Sequence, residues 1–169
     1  MSPAGPPAGE RPAYVGIGAN LGDALATLAA AAQALAALPH SRLVALSSVY
    51  RSAPIGASGP DFFNAVACLH TRLLPAALLA ELQGIELAFG RQRPYRNAPR
   101  SLDLDLLLVG DAVVNSTALT LPHPRLHQRA FVLHPLLELN PALAGPGLGA
   151  LARWLPATAG QAIQRLPTP

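Results

Sequence analysis

Arg100-Ser101-Leu102-Asp103-Leu104-Asp105-Leu106-Leu107-Leu108-Val109 is the stretch whose reading decides the fold. Past the Arg it reads as a buried strand with two carboxylates cut into one face. Strand side chains alternate, so Asp103 and Asp105 share one face and Leu102, Leu104 and Leu106 take the other. Two carboxylates roughly 7 Å apart at the mouth of an apolar run repel each other and lose hydration. A cation between them removes that cost. Hard divalent ions, Mg²⁺ above all, are held by one or two carboxylates together with substrate phosphates. The bland alternative is two Asp on a solvated strand face. Against it, the chain has only nine acidic residues, and two of them stand here among large aliphatics.

The bulk composition narrows the classes. At 169 residues, 51% hydrophobic and 12% charged, the chain is expected to form one domain with a real core, not a disordered polymer. All twelve basic residues are Arg. The missing Lys excludes a Walker A phosphate loop and a lysine Schiff base. A single Cys excludes an internal disulfide and fits a cytoplasmic protein. Met1–Pro12 has no apolar export core and reads as a flexible tail, followed by a single domain over 13–156 and a frayed tail over 157–169. Ala24–Leu38 is too short to span a bilayer, so no membrane partner is expected.

Outward from the Asp-x-Asp strand the pattern is mixed. Ala13–Gly18 reads as a first strand. Gly16-x-Gly18 invites a dinucleotide fold, but Leu21 stands where the third Gly belongs and no acid lies between Asp23 and Asp61. Asp23 caps a helix to about Leu38, with Leu21, Leu25, Leu28, Ala32 and Leu35 as its buried face. Leu43–Arg51 reads as one strand, opening into a long loop over Ser52–Asp61. Phe63–Thr71 is a third strand, and Pro75 starts a helix to Phe89 buried through Leu78, Leu82, Ile85 and Phe89. Gln83 and Glu86 are neighbours on that helix.

Arg91–Arg100 then carries four Arg in ten residues. Arg forks match phosphate oxygens, so this loop beside two carboxylates points to a metal–nucleotide site; a merely solvated loop is the alternative. Val113–Thr120 reads as an edge strand. His123 and His127 have zinc-like spacing, but Pro124 breaks the helix and no further ligand completes a set. A helix over Phe131–Leu139, interrupted at Pro135, and a short one over Leu148–Leu155 finish the chain. The order β-α-β-β-α-β predicts an α+β fold: a ferredoxin-like antiparallel sheet, its two long helices on one face, plus an edge strand and C-terminal helices.

Gly18-Ala19-Asn20-Leu21-Gly22, Ser47–Ser52, Asp61–Ala65, Pro99–Asp105, Pro122-His123 and Arg129-Ala130-Phe131 together resemble the 6-hydroxymethyl-7,8-dihydropterin pyrophosphokinases of folate biosynthesis. The resemblance runs from about Tyr14 to Pro141. It implies transfer of pyrophosphate from MgATP to the pterin hydroxymethyl oxygen, leaving AMP. It gives Asp103 and Asp105 two Mg²⁺ ions. Gln83, Glu86, Arg93, Arg100, Leu106, Thr120, His123 and Arg129 fall at ATP positions, and Ser52, Ala53, Ile55, Phe62, Asn64 and Phe131 at pterin positions. Arg91, Arg93 and Arg100, with the two Asp, become the catalytic set. There are departures: Asn97 stands where members carry Trp, Tyr95 being a substitute, Phe62 and Pro124 stand where Tyr is common, and Ala53 replaces a Pro.

Transfer to a hydroxyl needs positioning and charge neutralisation more than covalent chemistry. Asp103 is the nearest candidate base. The expected partners are ATP and the hydroxymethyl pterin, taken by a monomer with no nucleic acid. The rivals are an RNA-binding domain using Tyr14 and Tyr50 on its sheet, and a metal-dependent nuclease. If the two Asp hold metal, Asp103→Asn and Asp105→Asn are expected to keep or slightly raise the melting temperature in EDTA while AMP release falls by orders of magnitude. Variants that melt much earlier yet turn over at near wild-type rates would refute the metal site.

Overall fold

The computed structural model describes residues 8–54, 59–90 and 102–167. Ile55, Arg91, Arg93, Tyr95, Asn97 and Arg100 lie outside the described residues. The chain runs β1 (Arg11–Ala19), α1 (Ala24–Ala36), β2 (Ser41–Leu46), β3 (Tyr50–Ser52), β4 (Phe62–Thr71), α2 (Pro75–Gly90) and β5 (Asp103–Val109). After these come β6 (Val114–Asn115), β7 (Thr120–Leu121), a 3-10 turn (Leu126–Gln128) and α3 (Ala130–Leu139). The chain closes with β8 (Ala144–Gly145), β9 (Gly149–Ala150), a 3-10 helix (Leu151–Thr158) and β10 (Gln164–Arg165). The main sheet has the order β10-β3-β4-β1-β5, with β2 also on β4, and all its pairings are antiparallel.

Period-two alternation divides that sheet into two faces with different cover. Ala13, Val15, Ile17 and Ala19 of β1 and Leu104 and Leu106 of β5 pack with α1 and α2 in one cluster. Tyr14, Val66, Cys68 and Leu107 face the other way, against α3 and the Leu151–Thr158 helix. A register shift between Tyr14 and Val15 leaves Leu107 as an extra residue in β5. This bulge puts Leu107 and Leu108 on the same face and returns Val109 to the first. The aromatics that the RNA-binding reading required are covered: Tyr14 is 4% and Tyr50 6% exposed. Burial pushes the Tyr14 hydroxyl up to about 12, with Asn140 and Cys68 beside it, and Tyr50 packs near His134.

Several expectations need correction. Asp23 does cap α1, accepting from Ala26 N at 3.1 Å, but the buried stripe is Ala24, Leu28, Ala31, Ala32 and Leu35. Leu25 is 48% exposed, because three small Ala carry the packing face and rotate the stripe away from it. Val113–Thr120 is no edge strand; β6 and β7 make a separate two-stranded hairpin. Pro135 does not interrupt α3, which keeps Leu133, Leu136 and Leu139 buried around the one rung it removes. The predicted helix over Leu148–Leu155 is a 3-10 helix, starting at Leu151 after the β8–β9 hairpin. Both tail boundaries move as well. Arg11 and Pro12 already pair in β1, and Thr158, at 2% exposed, is followed by β10 on β3.

The expected strand Leu43–Arg51 is broken, and the break has a cause. Ser47 Oγ accepts from Val66 N at 2.9 Å, so a side chain takes a place in the ladder. Glu138 of α3 then captures the next residues, accepting from Ser48 N at 2.9 Å, Ser48 Oγ at 3.0 Å and Tyr50 Oη at 2.7 Å. Arg165 of β10 adds an ion pair at 3.4 Å. One carboxylate thus ties the β2–β3 break to α3 and to the C-terminal strand.

Burial alone would raise the Glu138 carboxyl, but the Ser48 amide, the Tyr50 and Ser48 hydroxyls and Arg165 outweigh it and hold its pKa below the ordinary value. A carboxyl lowered on folding contributes stability that is complete above its unfolded pKa and is lost as pH falls through the folded one. Glu138→Gln is therefore expected to cost about 2 kcal/mol at neutral pH, or about 4–8 °C in melting temperature. The gap between variant and wild type should close below about pH 4, which thermal melts across pH would show.

Candidate active site

The second sheet face holds a cavity of about 560 Å³, within the range of small-molecule sites. Its floor is backbone. Gly16 and Gly18 follow Tyr14 on that face of β1, and neither has a side chain to fill the space. Gly18 lies in register with Asn64 of β4 on one side and Asp103 of β5 on the other. Adjacent strands are about 4.8 Å apart, so Asn64 and Asp103 face each other across about 10 Å of bare backbone. Gly16 makes the next step of the same floor, between Val66 and Asp105. A Cβ on Gly18 would stand 2.7 Å from Asn64 Oδ1, so the Asn64 carboxamide lies directly over that glycine.

The remaining walls come from distant parts of the chain. Ser52, Ala53 and Phe62 flank Asn64 at one end. Arg129 and Phe131 reach in from the start of α3, and the Arg129 guanidinium carbon stands 5.6 Å from the centre of the Phe131 ring. Asp103 is exposed and Asp105 half-buried, at the opposite end from Asn64. Two of the ordered elements brace the carboxylates from behind. Glu86 of α2 accepts from Leu104 N at 2.9 Å, and His123 N donates to Leu107 O at 2.9 Å. Both bonds cover the outer edge of β5, which would otherwise offer unpaired backbone.

His123 stands in the field of Asp105. Burial holds its ring below the ordinary histidine pKa, Asp105 pulls it up, and Arg129 and Arg125 push it down again. Arg125 N donates to His123 Nδ1 at 3.1 Å, so in the neutral ring the proton sits on Nε2. His123 thereby offers an Nε2–H donor in the field of Asp105.

The expected residues do not all converge. Ser52, Ala53, Phe62, Asn64, Phe131, Asp103, Asp105 and Arg129 line the cavity. Gln83 is exposed on α2, and Thr120 is exposed in the β6–β7 hairpin. Leu106 is 3% exposed within the helix-covered cluster, on the face away from Asp105. Ile55, Arg91, Arg93 and Arg100 lie outside the described residues. Two contributors lie outside the expected site residues. Gly16-x-Gly18 resembles a dinucleotide motif and its second Gly opens the family's Gly18–Gly22 stretch, but its period-two placement is also the signal for a bare strand face. Gly160–Ile163, which walls the cavity, carries no sequence signal.

A concave site with acidic, basic and amide groups on an antiparallel, helix-covered sheet is that of a small-molecule enzyme. The chain belongs to the 7,8-dihydro-6-hydroxymethylpterin-pyrophosphokinase family, whose model matches residues 14–141. It is 45% identical over 155 residues to the 2-amino-4-hydroxy-6-hydroxymethyldihydropteridine pyrophosphokinase of Pseudomonas aeruginosa, covering 91% of this chain and 96% of that one. Its identity to the Haemophilus influenzae enzyme of the same name is 44% over 135 residues, 79% of this chain and 84% of that protein. Among solved structures it resembles wild-type Plasmodium falciparum HPPK-DHPS, with a TM-score of 0.70 at 12% identity. That likeness covers 86% of this chain and 44% of the longer one, and it speaks for the fold.

The bare floor makes a direct test. Gly18→Ala is expected to displace the Asn64 carboxamide and move its side-chain amide resonances, with little change in melting temperature. Gly16→Ala, whose Cβ would meet Leu107 Cδ1 at an ordinary 3.6 Å, should leave those resonances in place.

Proposed function

We propose that this protein transfers pyrophosphate from ATP to the hydroxymethyl group of 6-hydroxymethyl-7,8-dihydropterin, releasing AMP in folate biosynthesis, and that the cavity is where it does so. The observation that carries the reading is the row Asn64–Gly18–Asp103. A carboxamide at one end can donate and accept in one plane, matching the amide edge of a pterin. The flat floor and the Phe131 ring leave a slot for the two-ring heterocycle. Its one-carbon arm then reaches the end where the carboxylates and Arg129 stand.

The donor set fits magnesium. Two carboxylates from one strand face are hard oxygen ligands, and the rest of the shell is left for water and phosphate oxygens. Among the described residues no cluster of three or more His, Cys, Asp or Glu competes as a softer metal site. Asp103 and Asp105 would hold two Mg²⁺ ions, which would supply neutralising charge to the phosphate oxygens. Arg129 and the Nε2–H of His123 hold phosphate oxygens from the α3 side, and Glu86 keeps β5 at the spacing that presents both Asp. The hydroxymethyl oxygen attacks the β-phosphorus in line and passes its proton to Asp103, the nearest candidate base, while the bond from the β-phosphorus to the bridging α-phosphate oxygen breaks and AMP leaves with that oxygen. Arg91, Arg93, Arg100 and Ile55 keep the roles that the resemblance implies, on sequence grounds.

The strand order β5-β1-β4-β2, with α1 and α2 on one face, supports reading the scaffold as a ferredoxin-like split β-α-β. The helices and the C-terminal segment on the second face turn that sheet from an open platform into a cavity. A cytoplasmic monomer is kept as the proposed state on sequence grounds, the chain having a single Cys, which is buried.

Incubation with MgATP is expected to release AMP only when the hydroxymethyl dihydropterin is present. Asn64→Ala should weaken pterin binding by about 1–3 kcal/mol with ATP binding nearly unchanged, as calorimetric titration of each ligand would read. Equal losses for both ligands would remove Asn64 from the pterin end.

A further inference from the structure

Gly160–Ile163 lies beyond the family match at residues 14–141, yet it walls the cavity. Within it, Gln161 turns its carboxamide toward the joint between the Leu126–Gln128 turn and α3. That joint is Arg129, one extended residue with φ −122° and ψ 118° and no side-chain cap to the helix it precedes. Helix ends leave backbone groups unpaired, here the Gln128 carbonyl behind Arg129 and the Ala130 N–H ahead of it. Gln161 takes both. Its Nε2 donates to Gln128 O at 2.8 Å, and Ala130 N donates to its Oε1 at 2.9 Å. An amide N–H can only donate and a carbonyl can only accept, so the two partners also dictate which way the carboxamide faces.

The clamp is itself anchored on both sides. Thr158 is buried, and its carbonyl accepts from Gln161 N at 2.9 Å. Beyond it, β10 pairs with β3, the strand that delivers Ser52, and Leu166 N donates to Val49 O at 2.8 Å. Arg129 in turn lines the cavity with its guanidinium beside Phe131. Without the clamp, Arg129 would be a single rotatable joint between two short helical pieces.

We propose that Gln161 is a positioning residue, fixing the backbone on both sides of Arg129 so that its guanidinium is presented to the nucleotide phosphates. The inference rests on the pyrophosphokinase reading above. Gln161→Leu keeps the bulk and removes both bonds, while Gln161→Glu keeps the acceptor and sets a carboxylate against the Gln128 carbonyl. Gln161→Leu is expected to raise the KM for MgATP about tenfold while moving the KM for the pterin less than about twofold, with Gln161→Glu between it and wild type. Calorimetry with a non-hydrolysable MgATP analogue should show the same weakening. In an Arg129→Ala background, Gln161→Leu should add less than about twofold, because the group it positions is gone.

The reaction assignment and the clamp fail differently. A wild-type protein that releases no AMP with both substrates present overturns the reaction. Gln161 variants, either Leu or Glu, that bind the analogue as wild type does overturn the clamp. So does a Gln161→Leu loss that multiplies with the Arg129→Ala loss, or one that raises both KM values equally.

Discussion

The structure depends on one bare patch of backbone at the centre of its sheet. Gly16 and Gly18 leave β1 without side chains on the face where Tyr14 marks the buried end, while Val15 and Ile17 bury the opposite face completely. A strand can serve a core and a cavity at once only because successive side chains point to opposite sides. The apolar side lets α1 and α2 pack, each fully buried Leu or Ile contributing about 1.5–3 kcal/mol. The glycine side leaves a floor on which a flat ligand can lie. Stability and site are therefore built from the same few residues, separated by parity.

The bulge in β5 extends this division. By inserting Leu107 opposite no partner, it sends Leu107 and Leu108 into the layer under α3 and leaves Asp103 and Asp105 at the open end of the strand. The carbonyl of the bulged residue accepts from His123 N, which brings the histidine to the carboxylates. Glu86 holds the same edge from α2. The strand that carries the acidic pair is thus held through its own backbone groups by elements on either side of it in sequence, the Glu86 side chain before it and the His123 amide after it.

The C-terminal layer makes the remaining half of the site. Glu138 joins α3 to the broken β2–β3 strand and to Arg165, and Gln161 joins the same terminal segment to the start of α3. These polar ties connect the end that holds Ser52 and Asn64 to the end that holds Arg129. The terminal segment thus contributes to both ends of the cavity through different residues, Arg165 beside Glu138 and Ser48, and Gln161 at Arg129.

The sequence by itself determined the elements whose signals are local. Asp23 as a cap, Pro75 as a helix start, the alternation of Leu102, Asp103, Leu104 and Asp105, and the family motifs from Gly18 to Phe131 all act over a few residues, through backbone geometry or through residue type. It did not determine where a regular pattern stops. Leu43–Arg51 reads as one strand until Glu138, far along the chain, captures Ser48 and Tyr50; the α1 stripe turns because Ala24, Ala31 and Ala32 fit against the sheet better than Leu25 does. The role of Gly160–Ile163 was equally out of reach. A segment without apolar periodicity is ordered by hydrogen bonds to distant backbone groups, and those partners are chosen by tertiary packing. That is why the carboxylates, the residues around Asn64 and the Arg–Phe pair were legible as residue types, while the floor, the Gln161 hydrogen bonds and the broken strand that assemble them were decided only in the folded chain.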